Sequence, residues 1–218
     1  NLINIESNNN FEDGIFIYPY SVSGSTLFYL NNITTNNNVG DKGIHLDRAN
    51  NVYIINTVSN NIGGSGIYIY DGSNITVKNG NLSSIYLTYS SLNNTFVNVT
   101  YPTETISSNS ELTRKWYLDV EVDNLAGYLI YQANVTGFNS TGSIVFSQLT
   151  NSSGDITTQE LTEYINNGTE KIYSTPHTIN ATKSTYGTNV SKVNLTETQN
   201  KFLQVTLSLP NTAPTIES

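Results

Sequence analysis

Apolar and polar positions alternate along residues 43–80 in short tetrads that return in register. Gly43-Ile44-His45-Leu46 comes back as Gly66-Ile67-Tyr68-Ile69, and Asn51-Val52-Tyr53-Ile54 as Asn74-Ile75-Thr76-Val77, both at an offset of 23 residues. A weaker third copy, Ser84-Ile85-Tyr86-Leu87 and Asn94-Thr95-Phe96-Val97, follows at offsets of 18 and 20. Equal offsets in two separate tetrads mark a repeat, and periods of roughly 20–50 residues mark stacked supersecondary units. Upstream, Gly14-Ile15-Phe16-Ile17 and Phe28-Tyr29-Leu30 match the same tetrads, and residues 1–10 match the tail of a repeat. About four rungs are therefore expected over residues 1–102, starting mid-rung, with 18–26 (Pro19, Gly24) as an outward loop.

Side chains of a strand point alternately to its two faces. One face of the first tetrads reads Ile15/Ile17, Ile44/Leu46, Ile67/Ile69 and Ile85/Leu87, the other Phe16, His45, Tyr68 and Tyr86. The second tetrads place Val52/Ile54, Ile75/Val77 and Thr95/Val97 inward, and Tyr29, Tyr53, Thr76 and Phe96 outward. Asn51, Asn74 and Asn94 fall in register at turns, where stacked amides bond along the stack. Short parallel strands with Gly and Asn at the corners predict an all-β fold that begins as a short right-handed parallel β-helix.

The period stops near Tyr101-Pro102. Residues 103–111 read as a polar linker, and 112–209 as a second domain. There Trp116, Leu118, Val120 and Val122 alternate with Tyr117, Asp119 and Glu121. Further strands are expected over 128–136, 143–149, 171–183 and 193–209, with 157–165 either a strand or a helical turn. Turn signals every 8–15 residues or so predict a C-terminal antiparallel sandwich. Residues 210–218, with two of the five prolines, read as an extended tail or linker, or as the first strand of another module.

The repeat, GI-h-L followed by NN-h-h-I and N-h-h-x-N-N, resembles the parallel β-helix repeats of the NosD-like and carbohydrate-binding/sugar-hydrolase superfamily, common in large archaeal surface proteins. That superfamily includes polysaccharide lyases, epimerases and non-catalytic surface modules. The stretch KWYLDVEVDNLAGYLIYQANVTGFNSTGSIVFSQLTNSSG, with YSTPHTINATKSTYG after it, is similar to the immunoglobulin-like, carboxypeptidase-regulatory-type sandwich that follows such helices. That module's Gly-x-Pro-x-x-x-Ala turn is replaced by Gly127-Tyr128-Leu129-Ile130-Tyr131-Gln132-Ala133. The resemblance implies a structural or adhesive part and carries no catalytic residues over.

Composition narrows the partners. The net charge is −8 with 12% charged residues and no cysteine. Without a basic run, nucleic acid is not an expected partner; without cysteine, disulfides and thiolate metal sites are excluded. No segment has the length of a membrane span, and a first residue of Asn is compatible with a leader already removed. The 33 asparagines against 52 serines and threonines in 218 residues predict about 8 N-x-[ST] sequons by chance, and 12 occur. They start at Asn32, Asn74, Asn81, Asn93, Asn98, Asn134, Asn139, Asn151, Asn167, Asn180, Asn189 and Asn194. Covalent N-glycans on an exported chain are the expected use.

Glycoside hydrolysis needs paired carboxylates. The candidates are Glu12, Asp13, Asp41, Asp47 and Asp71, expected to be solvated turn acids or at most an adventitious Ca²⁺ site. His45 and His177 each lack a second ligand in the sequence, so no metal and no cofactor are expected. The more telling feature is a pair of outward aromatic stripes, Phe16, Tyr68 and Tyr86 in one and Tyr29, Tyr53 and Phe96 in the other. They suit packing on a companion element, an assembly interface or sugar stacking. These readings describe an extracellular, non-enzymatic structural protein of a surface layer, sheath, filament or stalk. It would associate with itself or with neighbouring modules through the β-helix ends and extended termini. A glycan-binding adhesin module is the alternative, and a degenerate polysaccharide-processing enzyme comes third.

Overall fold

The computed structural model describes residues 1–19, 27–38, 42–60, 64–197 and 199–210. These residues are all-β, with several sheets and no helix. The first strands are β1 (Leu2–Asn8), β2 (Ile15–Ile17), β3 (Phe28–Asn36), β4 (Ile44–Asp47), β5 (Val52–Asn60), β6 (Ile67–Tyr70), β7 (Thr76–Leu82), β8 (Ile85–Thr88) and β9 (Asn94–Thr100). Then come β10 (Glu104–Ile106), β11 (Leu112–Asn124), β12 (Asn134–Phe138), β13 (Ile144–Leu149), β14 (Gln159–Asn166) and β15 (Lys171–Tyr173). The chain closes with β16 (His177–Thr182), β17 (Thr188–Val193) and β18 (Lys201–Leu207). Two compact units result. The first holds Asn1–Lys115 and Thr162–Tyr173; the second holds Trp116–Leu161 and the chain from Ser174 onward. Strands β11 and β14 contribute residues to both.

In the first unit the chain passes back and forth between two sheets, parallel up to the start of β11, beyond which β14 and β15 form an antiparallel pair. Strands β1, β3, β5, β7, β9 and the start of β11 stack in one, followed by β14 and β15; β2, β4, β6, β8 and β10 stack in the other. Ile15 pairs with Ile44, Ile44 with Ile67 and Ile67 with Ile85. Val52, Ile54, Ile75 and Val77 line the facing wall, and one continuous core runs through the unit. Each fully buried Ile or Leu contributes about 1.5–3 kcal/mol relative to exposure. No single rung could bury these residues, so the stack is the unit of stability.

The odd-numbered strands turn a corner midway. Asn4, Asn32, Asn56, Asn79 and Asn98 occupy matching places between paired residues and all take φ between 52 and 56°. This left-handed conformation costs most residues about 1–2 kcal/mol, and Asn tolerates it through its short polar side chain. It also resets the alternation. Leu30 and Ile33 both point inward although three positions apart, and so do Ile54 and Thr57. Along the column, the Asn32 amide donates to Asn4 Oδ1 and that of Asn98 to Asn79 Oδ1, both at 2.9 Å.

Three expectations change. In the third copy of the repeat, Val77 pairs with Phe96, an offset of 19 rather than 20. Phe96 is therefore inward and fully buried, not outward, while Thr95 takes the outer position. The turn column accordingly runs Asn51, Asn74 and Asn93, all at positive φ, and Asn94 is buried, donating to Gly72 O and accepting from Ile75 N. Residues 103–111 are not a plain linker. Strand β10 pairs with β8, and Leu112–Lys115 then pairs with Asn94–Val97, completing another rung. Only Ile106 and Leu112 mark it as apolar, because its first inward position is Glu104.

In the second unit β13, β12, β16 and β17 form an antiparallel sheet in that order, and residues 118–124 of β11 pair with β18 in parallel. Trp116, Leu118, Val120 and Val122 alternate into a core with Val135, Phe146, Ile179, Ala181 and Val205. The strand expected over 128–136 is confined to β12. Residues 124–128 make a turn and Gln132 takes φ 55°, which leaves Tyr128, Leu129 and Tyr131 exposed. Of residues 157–165, those from 159 on form strand β14, with no helical turn. The loop 20–26, Asp41 and the tail from 211 onward lie outside the described residues.

Candidate functional site

Parallel register on the five-stranded sheet sets Phe16, His45, Tyr68, Tyr86 and Thr105 in single file on its outer face. Strands stack about 4.8 Å apart, and the rings follow that spacing. Their centroids are 4.7 Å apart for Phe16–His45, 5.0 Å for His45–Tyr68 and 5.2 Å for Tyr68–Tyr86. Tilts of 32–79° between these neighbours break the row into facets.

A second row runs beside the first. Tyr18 stacks at 8° to Phe16, and Tyr70 meets Tyr89 at 4.3 Å. Arg48 spans the Tyr18 and Tyr70 rings and donates to the Tyr18 hydroxyl at 3.0 Å, the leading reason its guanidinium is held firmly protonated. Lys42 lies 4.9 Å from the Tyr68 centroid. Asp13 anchors the row: one carboxylate oxygen accepts the Lys42 backbone N–H at 2.9 Å, the other meets His45 Nδ1 at 2.6 Å. Phe16 is 54% exposed and Tyr89 64%, so solvent reaches the face. Aromatic planes beside fixed cations and a carboxylate suit a ligand with alternating C–H and hydroxyl surfaces.

Of the six predicted stripe residues, the fold gathers Phe16, Tyr68 and Tyr86 on this face. Tyr29 and Tyr53 stack at 5.7 Å on the other sheet, with Lys78 over Tyr53, and Phe96 is inside. Sequence reasoning missed Tyr18, Arg48, Tyr70 and Tyr89. The spacing Tyr68-Ile69-Tyr70 was a visible signal, since i and i+2 of a strand share a face. The carboxylate candidates have separate engagements: Asp13 with His45, and Asp47 beside Arg48 at 3.9 Å. Glu12 and Asp71 are exposed. His177 is buried within β16. Among the described residues no three His, Asp or Glu side chains gather as a metal site.

No protein-family model and no curated protein matches this chain.

A second polar constellation occupies the last rung of the first unit, around a cleft of about 330 Å³. Glu104 accepts from Lys171 Nζ at 2.6 Å, Tyr164 at 2.6 Å, Tyr101 at 2.9 Å and Asn166 at 2.9 Å. Burial alone would raise its pKa; these donors, Lys171 foremost, hold it below the ordinary carboxylate value. Burial pushes the Tyr101 and Tyr164 hydroxyls up instead. Arg114 lies 4.6 Å over the Tyr101 ring and 3.4 Å from Glu163. With its carboxylate saturated by donors, this cluster closes the stack.

None of the twelve sequon asparagines is buried. Asn32, Asn74, Asn93 and Asn98 take positive φ in the corner columns, so their identity already has a structural cause. The inward Ile or Val and outward Thr that follow Asn32, Asn74 and Asn98 generate the sequon.

Proposed function

We propose that this chain is part of an extracellular, non-enzymatic structural protein of an archaeal-type cell surface. In this reading a short right-handed parallel β-helix of NosD-like type precedes an immunoglobulin-like sandwich. The protein associates with copies of itself or with neighbouring modules. The observation that carries the reading is an unbroken parallel ladder whose first described strand is β1. That strand of seven residues pairs with β3 alone among the described residues and leaves Leu2 and Ile3 exposed. An unpaired strand edge of this kind templates another strand. Static light scattering on the chain and on Ile3→Lys tests it. Association that the lysine abolishes supports the reading; a parent that stays monodisperse at high concentration sinks it.

A second reading has its own observation. The exposed face of Phe16, Tyr18, Tyr68, Tyr70, Tyr86 and Tyr89, with Arg48 and Asp13, favours a glycan-binding adhesin module. A glycan array probed with the chain and with Tyr68→Ala separates the two, since loss of association and loss of sugar binding belong to different surfaces.

A further inference from the structure

One edge strand of the second unit lacks the usual protection. Strand β13 pairs with β12 alone among the described residues. Ile144 is 65% exposed and Leu149 61%, with Val145 open between them. No charged residue occurs anywhere from 124 to 154. Proteins ordinarily blunt such an edge with lysine, proline or a covering element; the opposite edge of the same sheet, β17, carries Lys192. In a chain of net charge −8, a neutral apolar strand is also where two copies repel each other least.

Two sequons bracket this strand, in turns built alike. In 139–143 and 151–155 the asparagine Oδ1 accepts the N–H two residues on, at 3.1 and 2.8 Å, and four residues on, at 2.8 and 3.1 Å. The backbone N–H of Asn139 bonds Ser143 O and that of Asn151 bonds Asp155 O. Gly142 and Gly154 take φ of 81° and 73°. With the amide oxygen turned into the loop, each Nδ2 faces away from it and makes no hydrogen bond within the described residues. The same turn recurs at 124–128, but Ala126 removes the sequon, and there the Asn124 Nδ2 is committed to the Tyr186 hydroxyl at 3.3 Å. Asn32, Asn98 and Asn189 likewise spend Nδ2 on neighbours.

We propose that Asn139 and Asn151 carry N-linked glycans, and that these glycans guard the β13 edge against strand addition by other copies. The inference rests on the reading of the chain as exported. The amide nitrogen attacks C1 of a lipid-phosphate-linked saccharide. An N–C1 bond forms as the C1–O bond to phosphate breaks, the lipid phosphate leaves, and one amide proton passes to the transferring enzyme's base. A bulky, hydrated saccharide at each end of a six-residue strand denies it a partner without adding charge.

Glycopeptide mass spectrometry of the protein isolated from its own source, with a sequon-removal series, tests this. Thr141→Ala with Ser153→Ala deletes both sequons and keeps both asparagines and the backbone N–H bonds of their turns, removing the Thr141 hydroxyl's bond to Asn139 Oδ1. Occupancy at Asn139 and Asn151, together with roughly tenfold tighter self-association of the double variant, reversed by adding Val145→Lys, is the expected result. Glycans at other sequons but not at these two overturn the inference and spare the export reading. A chain with no glycan at all overturns the inference as well. Occupied sites with an unchanged association constant in the double variant refute the guarding role.

Discussion

At the scale of single residues, Glu104 is the most consequential side chain of the first unit. Four donors converge on a carboxylate that is only 7% exposed. Glu104→Gln keeps the shape but turns an amide N–H₂ toward groups that can only donate or must rearrange. We expect a loss of about 2 kcal/mol, the scale of a hydrogen bond to a charged group, read as a lower midpoint in urea. The same cluster fixes a pH window. A carboxylate held below its ordinary value of 4.5 stabilises the fold above that pH. The contribution is lost as pH falls through the group's folded value. Tyr101 and Tyr164 are raised above their ordinary 10.0 and Lys171 above 10.5, so their stabilisation is complete below those values and lost as pH rises beyond them. Thermal unfolding should therefore plateau between the two limits and fall off on both sides, by up to about 1.4 kcal/mol per pH unit for each buried group and by less for the partly exposed Lys171, whose interaction solvent screens. Glu104→Gln should flatten the acid arm. An unchanged acid arm in that variant contradicts the assignment.

At the scale of elements, the corner asparagines decide whether a rung closes. Asn56 holds φ 55° with its side chain exposed, so Asn56→Ala should cost about 1–2 kcal/mol through the backbone alone. Asn56→Gly, free of that penalty, should cost less; chemical denaturation of the pair checks the order. Gly43 is sensitive for another reason. A Cβ there would overlap Ser59 Oγ and sit 2.7 Å from Gly66 O, so Gly43→Ala should be the more damaging change. The inward columns of Ile44, Ile67 and Ile85 were legible from alternation because nothing competes with hydrophobicity at those places. The corner was not, since a left-handed residue spaces inward positions by three and breaks the period of two. The final rung was hidden by its buried Glu104, whose partners Tyr164 and Lys171 lie some 60 residues away in sequence. The aromatic face was half legible: Tyr68 and Tyr86 follow from the tetrads, but Arg48 beside Tyr18 needs the fold to bring them together.

At the scale of the whole molecule, the β1 edge and the aromatic face are separable by mutation. Ile3→Lys should suppress self-association and leave any sugar binding intact, whereas Tyr68→Ala should do the reverse; titration of each variant in both assays checks this. A change of both properties by one substitution would instead point to a folding defect, which circular dichroism would reveal. The register of the first unit has a further consequence. Ile44 and Ile67 occupy equivalent places one rung apart, and a rung touches only the rungs above and below it. Copying or deleting one such segment leaves both ends chemically unchanged while moving them about 4.8 Å farther apart or closer together. The repeat is thus a graduated ruler, on which reach can be set in whole steps without redesigning anything it connects.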